Sequence, residues 1–112
     1  MEISYFSKKL KKAFEIEKVA IKRWGPENGR ILLRRHGQLK AAVSLYDFSL
    51  LPQVRCHPLT GNRKGQFACD GKHPFRLVFE PDHDVVAEME ICGVDLKKVT
   101  RIHIVEVVDY HD

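Results

Sequence analysis

Histidines and arginines of a basic central segment, together with the last residues of the chain, are the side chains best suited to chemistry. The segment runs from Arg55 to Pro81 and reads RCHPLTGNRKGQFACDGKHPFRLVFEP, and the chain closes with Asp109, Tyr110 and His111. A histidine can take or give a proton near neutral pH, and an arginine is a permanent cation that fits a phosphate. These residue types suffice for metal-free RNA cleavage. That reaction needs a base for the 2′-hydroxyl proton, a cation beside the phosphorane and an acid for the leaving 5′-oxygen.

The candidate roles follow from the residue types. His57 or His111 can serve as base or acid, and Arg76 as the fixed cation. Tyr110 offers a stacking platform for a splayed base. Asp109 either orients a histidine or acts on the hydroxyl itself.

Each of these residues also has an ordinary structural explanation. A histidine before a proline, such as His57, is most often a loop residue, and Tyr110 can simply cap the core. Arg76 can pair with Asp70 or Glu80 across a hairpin, as a surface ion pair of little consequence. The remaining histidines are interpreted as turn residues (His73, His83) or as solvent-facing or packed residues (His36, His103).

The charge distribution favours a polyanionic partner for the front of the chain. Residues 1–40 hold eleven Lys and Arg against four Asp and Glu, whereas residues 77–112 hold three against nine. Clustered cations bind phosphates by releasing condensed counterions, although scattered helix lysines usually serve only solubility. The basic residues nearest the candidate chemistry are the predicted RNA-binding residues: Arg55, Arg63, Lys64, Lys72 and His73.

The elements that must position these residues form a hairpin and a closing strand. The pattern predicts a strand over Gln66–Asp70, a turn over 71–74 and a second strand over Phe75–Glu80, with Arg76 on the face opposite Leu77. The segment 102–108 alternates as a strand that is buried on much of both faces. An antiparallel hairpin would set Arg76 beside the basic loop.

The front half is predicted to be largely helical. A short strand over 1–6 and an N-cap at Ser7 precede helices over 8–14, 17–24 and 26 to about 45. The third helix is expected to bury Leu32, Leu39, Val43 and Tyr46 and to leave Arg30, Arg34, Arg35 and Lys40 outside. The fold class is therefore α+β: a small, mostly antiparallel sheet packed against an N-terminal helical hairpin, in a single domain over residues 1–112.

Composition bounds the remaining possibilities. No long apolar run or apolar signal core is present, so a cytoplasmic protein without a membrane span is expected. Three cysteines at irregular spacing fit reduced thiols. A zinc site built from Cys56, His57, Cys69 and His73 is the alternative, but the spacing matches no common ligand pattern, so neither metal nor cofactor is expected.

Three pieces taken together resemble a known family. The segments CHPLTGNRKGQF and HPFRLVFEP and the terminal VVDYHD resemble the HigB, or plasmid-maintenance killer, branch of the RelE-like toxins. The resemblance runs from about Pro52 to the end, and the helical front half agrees in order and length. It implies a RelE-like fold and a ribosome-dependent messenger-RNA endonuclease, held inactive by a helix-turn-helix antitoxin of the HigA type. The residues that match the family's cleavage residues are His57, Arg76, Asp109, Tyr110 and His111.

Two departures keep a second function open. The position three residues after the loop histidine is commonly lysine in this branch and is Thr60 here, so another cation must fill that role. The segment from about Asp82 to Thr100 is also longer than compact members need. The alternative is a ParE-like or degenerate toxin-fold module that acts by binding gyrase or an antitoxin.

Overall fold

A five-stranded, mostly antiparallel sheet forms one layer of the protein. The structure, a computed structural model, describes residues 1–82 and 95–109. The strands are β1 (Glu2–Tyr5), β2 (His57–Pro58), β3 (Phe67–Asp70), β4 (Phe75–Pro81) and β5 (Arg101–Asp109). Their order across the sheet is β1-β5-β4-β3-β2, and only the β1–β5 pair is parallel. The predicted α+β class and the predicted β-hairpin, formed by β3 and β4, are confirmed.

Four helices cover the sequence between β1 and β2. They are α1 (Lys8–Glu15), α2 (Glu17–Trp24), α3 (Pro26–Ala41) and α4 (Leu45–Ser49). The hydroxyl of Ser7 accepts the Leu10 backbone N–H at 3.1 Å, so the predicted N-cap of α1 is confirmed. Gly25, at φ +86°, ends α2 in a conformation that favours glycine. A Cβ at Gly29 would lie 3.0 Å from the Ala20 carbonyl oxygen, so this glycine permits α2 and α3 to approach closely.

The third helix is shorter than predicted. It ends at Ala41, and Ser44 caps a separate helix by accepting the Asp47 N–H at 3.4 Å. The expected burial of Val43 and Tyr46 is wrong, because these side chains are 78% and 37% exposed. A serine that offers an N-cap competes with continuation of the preceding helix, which explains the break.

The hydrophobic core lies between the helices and one face of the sheet. Alternate strand residues supply the sheet side, and the helices supply Leu10, Phe14, Leu32 and Leu39. The sheet residues of this core are Phe67, Cys69, Leu77, Phe79, Ile102 and Ile104. The other sheet face is therefore not covered by these helices. Within the described residues, no helix is long and apolar enough to cross a membrane.

Arg35 is buried rather than solvent-facing, contrary to the prediction. It is 6% exposed, and its guanidinium donates to the carbonyl oxygens of Asp70 at 2.8 Å and Gln53 at 3.2 Å. A third donor meets the Gln38 side chain at 3.1 Å. Arg35 thus ties α3 to the end of β3 and to the segment before β2.

His36 should make the fold sensitive to mild acid. Its Nε2 lies 2.7 Å from the Tyr5 hydroxyl, and its ring stacks on Phe14. Burial, followed by the charge of Lys40, lowers the pKa of His36. The unfolded chain therefore binds the proton at a higher pH than the folded chain does, and stability falls as pH drops from the unfolded value towards the lowered one.

The measurement is urea unfolding of the protein and of His36→Gln between pH 7.5 and 5. One proton limits the slope to about 1.4 kcal/mol per pH unit. We expect the His36→Gln variant to lose less stability over this range. Equal pH dependence in both proteins would assign the acid sensitivity to other groups.

Candidate functional site

Strand register brings the candidate residues to one face of the sheet. His57 lies opposite Ala68, and Asp70 lies opposite Arg76, which in turn faces Val108. Residues directly across an antiparallel pair point to the same side, and alternate residues of one strand share a side. Cys69 and Leu77 point into the core, so their neighbours in the strands, Asp70 and Arg76, lie on the face opposite the helices, as does His57. We call it the polar face; it carries His57, Asp70, Arg76, Glu80 and Glu106.

An aspartate bridges two arginines on this face. The Oδ2 of Asp70 lies 3.4 Å from Nε of Arg55, and its Oδ1 lies 3.7 Å from Nε of Arg76. The structural alternative considered for Arg76, pairing with Asp70, is thus confirmed. It also brings Arg55 and Arg76 together, as the hairpin geometry predicted.

The tautomer of His57 is fixed by the backbone. Its Nδ1 lies 2.8 Å from the Arg55 carbonyl oxygen. A carbonyl can only accept, so Nδ1 carries the proton and Nε2 of the neutral ring has its lone pair available. The ring is half-buried on the outermost strand of the sheet. From the strand spacing and rise, its Cα lies about 12 Å from that of Arg76, a gap that two long side chains and a phosphate can bridge.

The backbone before His57 is strained. Gln53 and Arg55 have φ values of +74° and +49°, in the left-handed region that favours glycine. Strain of this kind persists only where the surroundings fix the conformation, and it is common at functional sites. Here the fixing contacts are Arg35 to the Gln53 carbonyl at 3.2 Å and the Asp70 N–H to the Val54 carbonyl at 2.8 Å.

Arg63 reaches across the polar face. Its Nη1 donates to Gln66 Oε1 at 2.8 Å, and its Nη2 lies 3.3 Å from Glu106 Oε2. Gln66 in turn donates to Glu80 Oε2 at 3.3 Å. Since Gln66 directly precedes β3 and Glu106 is on β5, Arg63 joins two strands that β4 separates. Arg63, predicted to bind RNA, is therefore already paired with a carboxylate.

Glu106 is a site residue that the sequence pattern misplaced. Simple alternation put it on the same side as Ile102 and Ile104. A register shift between Val78 and Phe79 in the β4–β5 pair reverses the alternation, so Glu106 lies opposite Val78 on the polar face. Nothing in the local sequence signals this shift.

The remaining predicted binding residues occupy two turns. Lys64 is exposed and directly follows the 61–63 turn. Lys72 and His73 are exposed in the β3–β4 turn. The ammonium group of Lys72 forms an ion pair with Glu27, and the backbone N–H of Lys72 donates to Asn28 Oδ1 at 3.0 Å. Lys72 is thus engaged by α3.

The far end of β5 pairs with the start of β4. Asp109 lies opposite Phe75, one position beyond the Arg76–Val108 pair. By this register the Asp109 side chain points to the side of the sheet that Leu77 shares, so the structure does not place it on the polar face beside Arg76. Tyr110 and His111 lie outside the described residues.

The two cysteines within the described residues, Cys56 and Cys69, carry free thiols. Cys69 has no exposed surface, and burial raises its pKa; burial raises the pKa of Cys56 to about 12. Over residues 1–82 and 95–109, no group of three or more His, Cys, Asp or Glu could hold a metal ion. The zinc alternative with Cys56, His57, Cys69 and His73 is therefore not assembled in this structure.

Replacing Arg35 should weaken both the fold and the site. In Arg35→Leu two backbone carbonyls lose their donor, and each such loss costs about 1–3 kcal/mol, so we expect a total of about 3 kcal/mol. The neighbouring exposed Arg34→Leu should stay within about 0.5 kcal/mol of the parent protein. Urea unfolding measures both. An unchanged unfolding midpoint for Arg35→Leu would contradict the stabilising role of these Arg35 hydrogen bonds.

Comparison with known proteins shows the fold. No family model and no curated protein matches the sequence. Among solved structures, the chain is similar to a YoeB/ParE toxin from Agrobacterium tumefaciens, with a TM-score of 0.59 and 9% sequence identity. The match covers 99% of this chain and 100% of the other. The chain therefore shares the α+β fold of that toxin over essentially its whole length.

Proposed function

We propose that this protein is the toxin of a type II toxin–antitoxin system and a ribosome-dependent messenger-RNA endonuclease. One observation supports the proposal: the β2–β3–β4 register puts His57 on the same sheet face as Arg76, and Asp70 contacts both Arg76 and Arg55. The fold shared with a YoeB/ParE toxin and the family-like terminal Asp-Tyr-His support it.

The proposed reaction is an internal transesterification. His57 Nε2 takes the ribose 2′-hydroxyl proton, and the resulting oxygen attacks the adjacent phosphorus. Arg76 stabilises the doubly charged phosphorane, and His111 protonates the leaving 5′-oxygen. Tyr110 stacks on a splayed base, and Asp109 orients the terminal histidine. The products are a 2′,3′-cyclic phosphate and a 5′-hydroxyl.

The charge balance of the polar face favours dependence on the ribosome. Arg55 and Arg76 both contact Asp70, and Arg63 contacts Glu106. These carboxylates offset much of the positive charge that would attract naked RNA. The ribosomal A site would instead hold the message in the reactive geometry, an orientation effect of about 7–11 kcal/mol at its upper limit.

A cell-free translation assay tests the proposal. We expect cleavage of messenger RNA only when ribosomes translate it, with cyclic phosphate at the new 3′ ends. Cleavage should also weaken as salt rises, because the contacts are mostly to phosphate. Efficient cleavage of naked RNA at any sequence would contradict ribosome dependence.

A binding module is the second candidate, because the similar structure is a YoeB/ParE toxin and Thr60 replaces the lysine usual in the HigB branch. In that case the chain would act on gyrase or only bind an antitoxin. Induction in cells separates the two candidates: intact messenger RNA with broken DNA favours gyrase, and degraded messenger RNA favours the nuclease. In both cases we propose a helix-turn-helix antitoxin of the HigA type, cytoplasmic action and no cofactor.

A further inference from the structure

We infer that Asp70 is a positioning residue that holds Arg55 and Arg76 as a paired guanidinium site for one phosphate group of RNA. The inference deepens the proposed function by adding Asp70 to the site and by assigning Arg55 to the same phosphate as Arg76. It rests on the contacts of Asp70 with both guanidinium groups, at 3.4 and 3.7 Å. We call Asp70, Arg55 and Arg76 together the phosphate clamp.

Two arginine side chains that lie close together repel each other, because both are positively charged. Asp70 offsets this repulsion with one carboxylate oxygen for each guanidinium. Each contact is made to Nε, on one edge of a planar group that has further N–H donors. Two such groups supply the planar, fork-like donors that suit phosphate recognition.

The backbone of Asp70, the central residue of the phosphate clamp, is held by hydrogen bonds. The Asp70 carbonyl accepts from buried Arg35 at 2.8 Å, and the Asp70 N–H donates to Val54 at 2.8 Å. The Asp70 backbone is thus bonded on both sides, which fixes where its carboxylate points. Arg55 is held at φ +49° by the same region. Backbone strain kept in place by buried contacts is the usual setting of a preorganised site.

The exposure of the three side chains fits a ligand site. The Asp70 and Arg76 side chains are 27% and 33% exposed, whereas Arg55 is 77% exposed. A phosphate approaching this face would therefore meet the exposed Arg55 and the half-buried Arg76 together. His57 contacts the Arg55 carbonyl at 2.8 Å, which links the clamp to the candidate base.

Binding of phosphate can be tested without any cleavage assay. Inorganic phosphate, and then an uncleavable 2′-O-methyl RNA, is titrated while the Nε–H signals of arginines are followed by NMR. We expect the Arg55 and Arg76 signals to move with one common dissociation constant. Arg55→Gln and Arg76→Gln should each weaken binding about tenfold, with the double variant little worse than either, because both act on one phosphate. Arg30→Gln, which removes an equal charge from an exposed ion pair between α3 and α2, should leave phosphate binding unchanged.

The role of Asp70 is tested with Asp70→Asn, for which electrostatics alone and positioning predict opposite changes in the cleavage rate. Asp70→Asn removes a negative charge, so simple electrostatics predicts stronger RNA binding and faster cleavage. Positioning predicts instead a kcat lowered at least about tenfold with KM unchanged or lower. A kcat that is unchanged or raised overturns the positioning role.

The two proposals fail in different ways. If the parent protein cuts no RNA in any assay, the nuclease proposal fails while the phosphate titration still decides the clamp. If phosphate moves the Arg55 and Arg76 signals independently or not at all, the clamp is wrong whatever the cleavage result. If Asp70→Asn does not fold, the exposed Arg55→Gln replaces it. In that variant an unchanged kcat overturns the inference, and a lowered kcat supports it.

Discussion

Replacing His57 should lower messenger-RNA cleavage by about 10²–10⁴-fold, the usual contribution of a general acid or base. The physical reason is that the neutral ring donates through Nδ1 to the Arg55 carbonyl and keeps Nε2 as the base. His57→Asn is the sharper variant, since its amide can still donate to that carbonyl but cannot accept a proton from a hydroxyl. We expect His57→Asn and His57→Ala to be equally inactive.

The terminal histidine should act with His57 as one unit. Groups that act together in one transition state lose activity non-additively, because the first loss leaves the others little to stabilise. The His57→Ala and His111→Ala double variant should therefore be little worse than the poorer single variant. The measurement is the rate of cleavage on translating ribosomes, together with growth arrest on induction.

A matched histidine shows whether the effect is specific. His103 lies on β5 opposite Glu80, and its Nδ1 is 2.7 Å from the Ser4 hydroxyl, at the other end of the sheet from Arg76. His103→Gln should leave cleavage intact. If folded, ribosome-bound His57 and His111 variants cut message at the unmutated rate, the catalytic interpretation is wrong and the binding module should replace it.

Arg76→Lys should be nearly as damaging, although it keeps the charge. Loss of one transition-state donor typically costs about 10²–10³-fold in rate. A lysine ammonium cannot reproduce the planar fork of arginine, nor can it offer Asp70 the Nε contact that now measures 3.7 Å. We therefore expect kcat to fall while binding to ribosomes changes little.

An exposed arginine elsewhere is the control for Arg76. Arg34 lies on the solvent side of α3, and Arg34→Lys should cut message at the parent rate. Both variants are compared in the same single-turnover assay with saturating protein, which removes binding from the comparison. Equal rates for Arg76→Lys and the parent would mean that any cation at this position is enough, and the fork geometry would then play no part.

Local patterns determined the secondary structure around the site. A capping serine at residue 7 and the Gly25-Pro26 pair set helix boundaries that the structure reproduces. The alternation around Leu77 was enough to place Arg76 on the face opposite the core. Such signals are read correctly from sequence because caps, turns and strand periodicity depend on neighbouring residues.

The tertiary structure alone decided which charges meet. Arg35 looked like a surface cation, but carbonyls from residues 53 and 70 supply the acceptors that permit its burial. Glu106 reached the polar face only through the β4–β5 register shift, and the hairpin predicted Arg76 beside the basic loop but not the Asp70 carboxylate that contacts both Arg55 and Arg76. Each outcome depends on groups distant in sequence, and local periodicity carries no information about them. The residue types thus indicated the chemistry, while strand register determined how Asp70, Arg55, Arg76 and His57 are arranged on one face of the sheet.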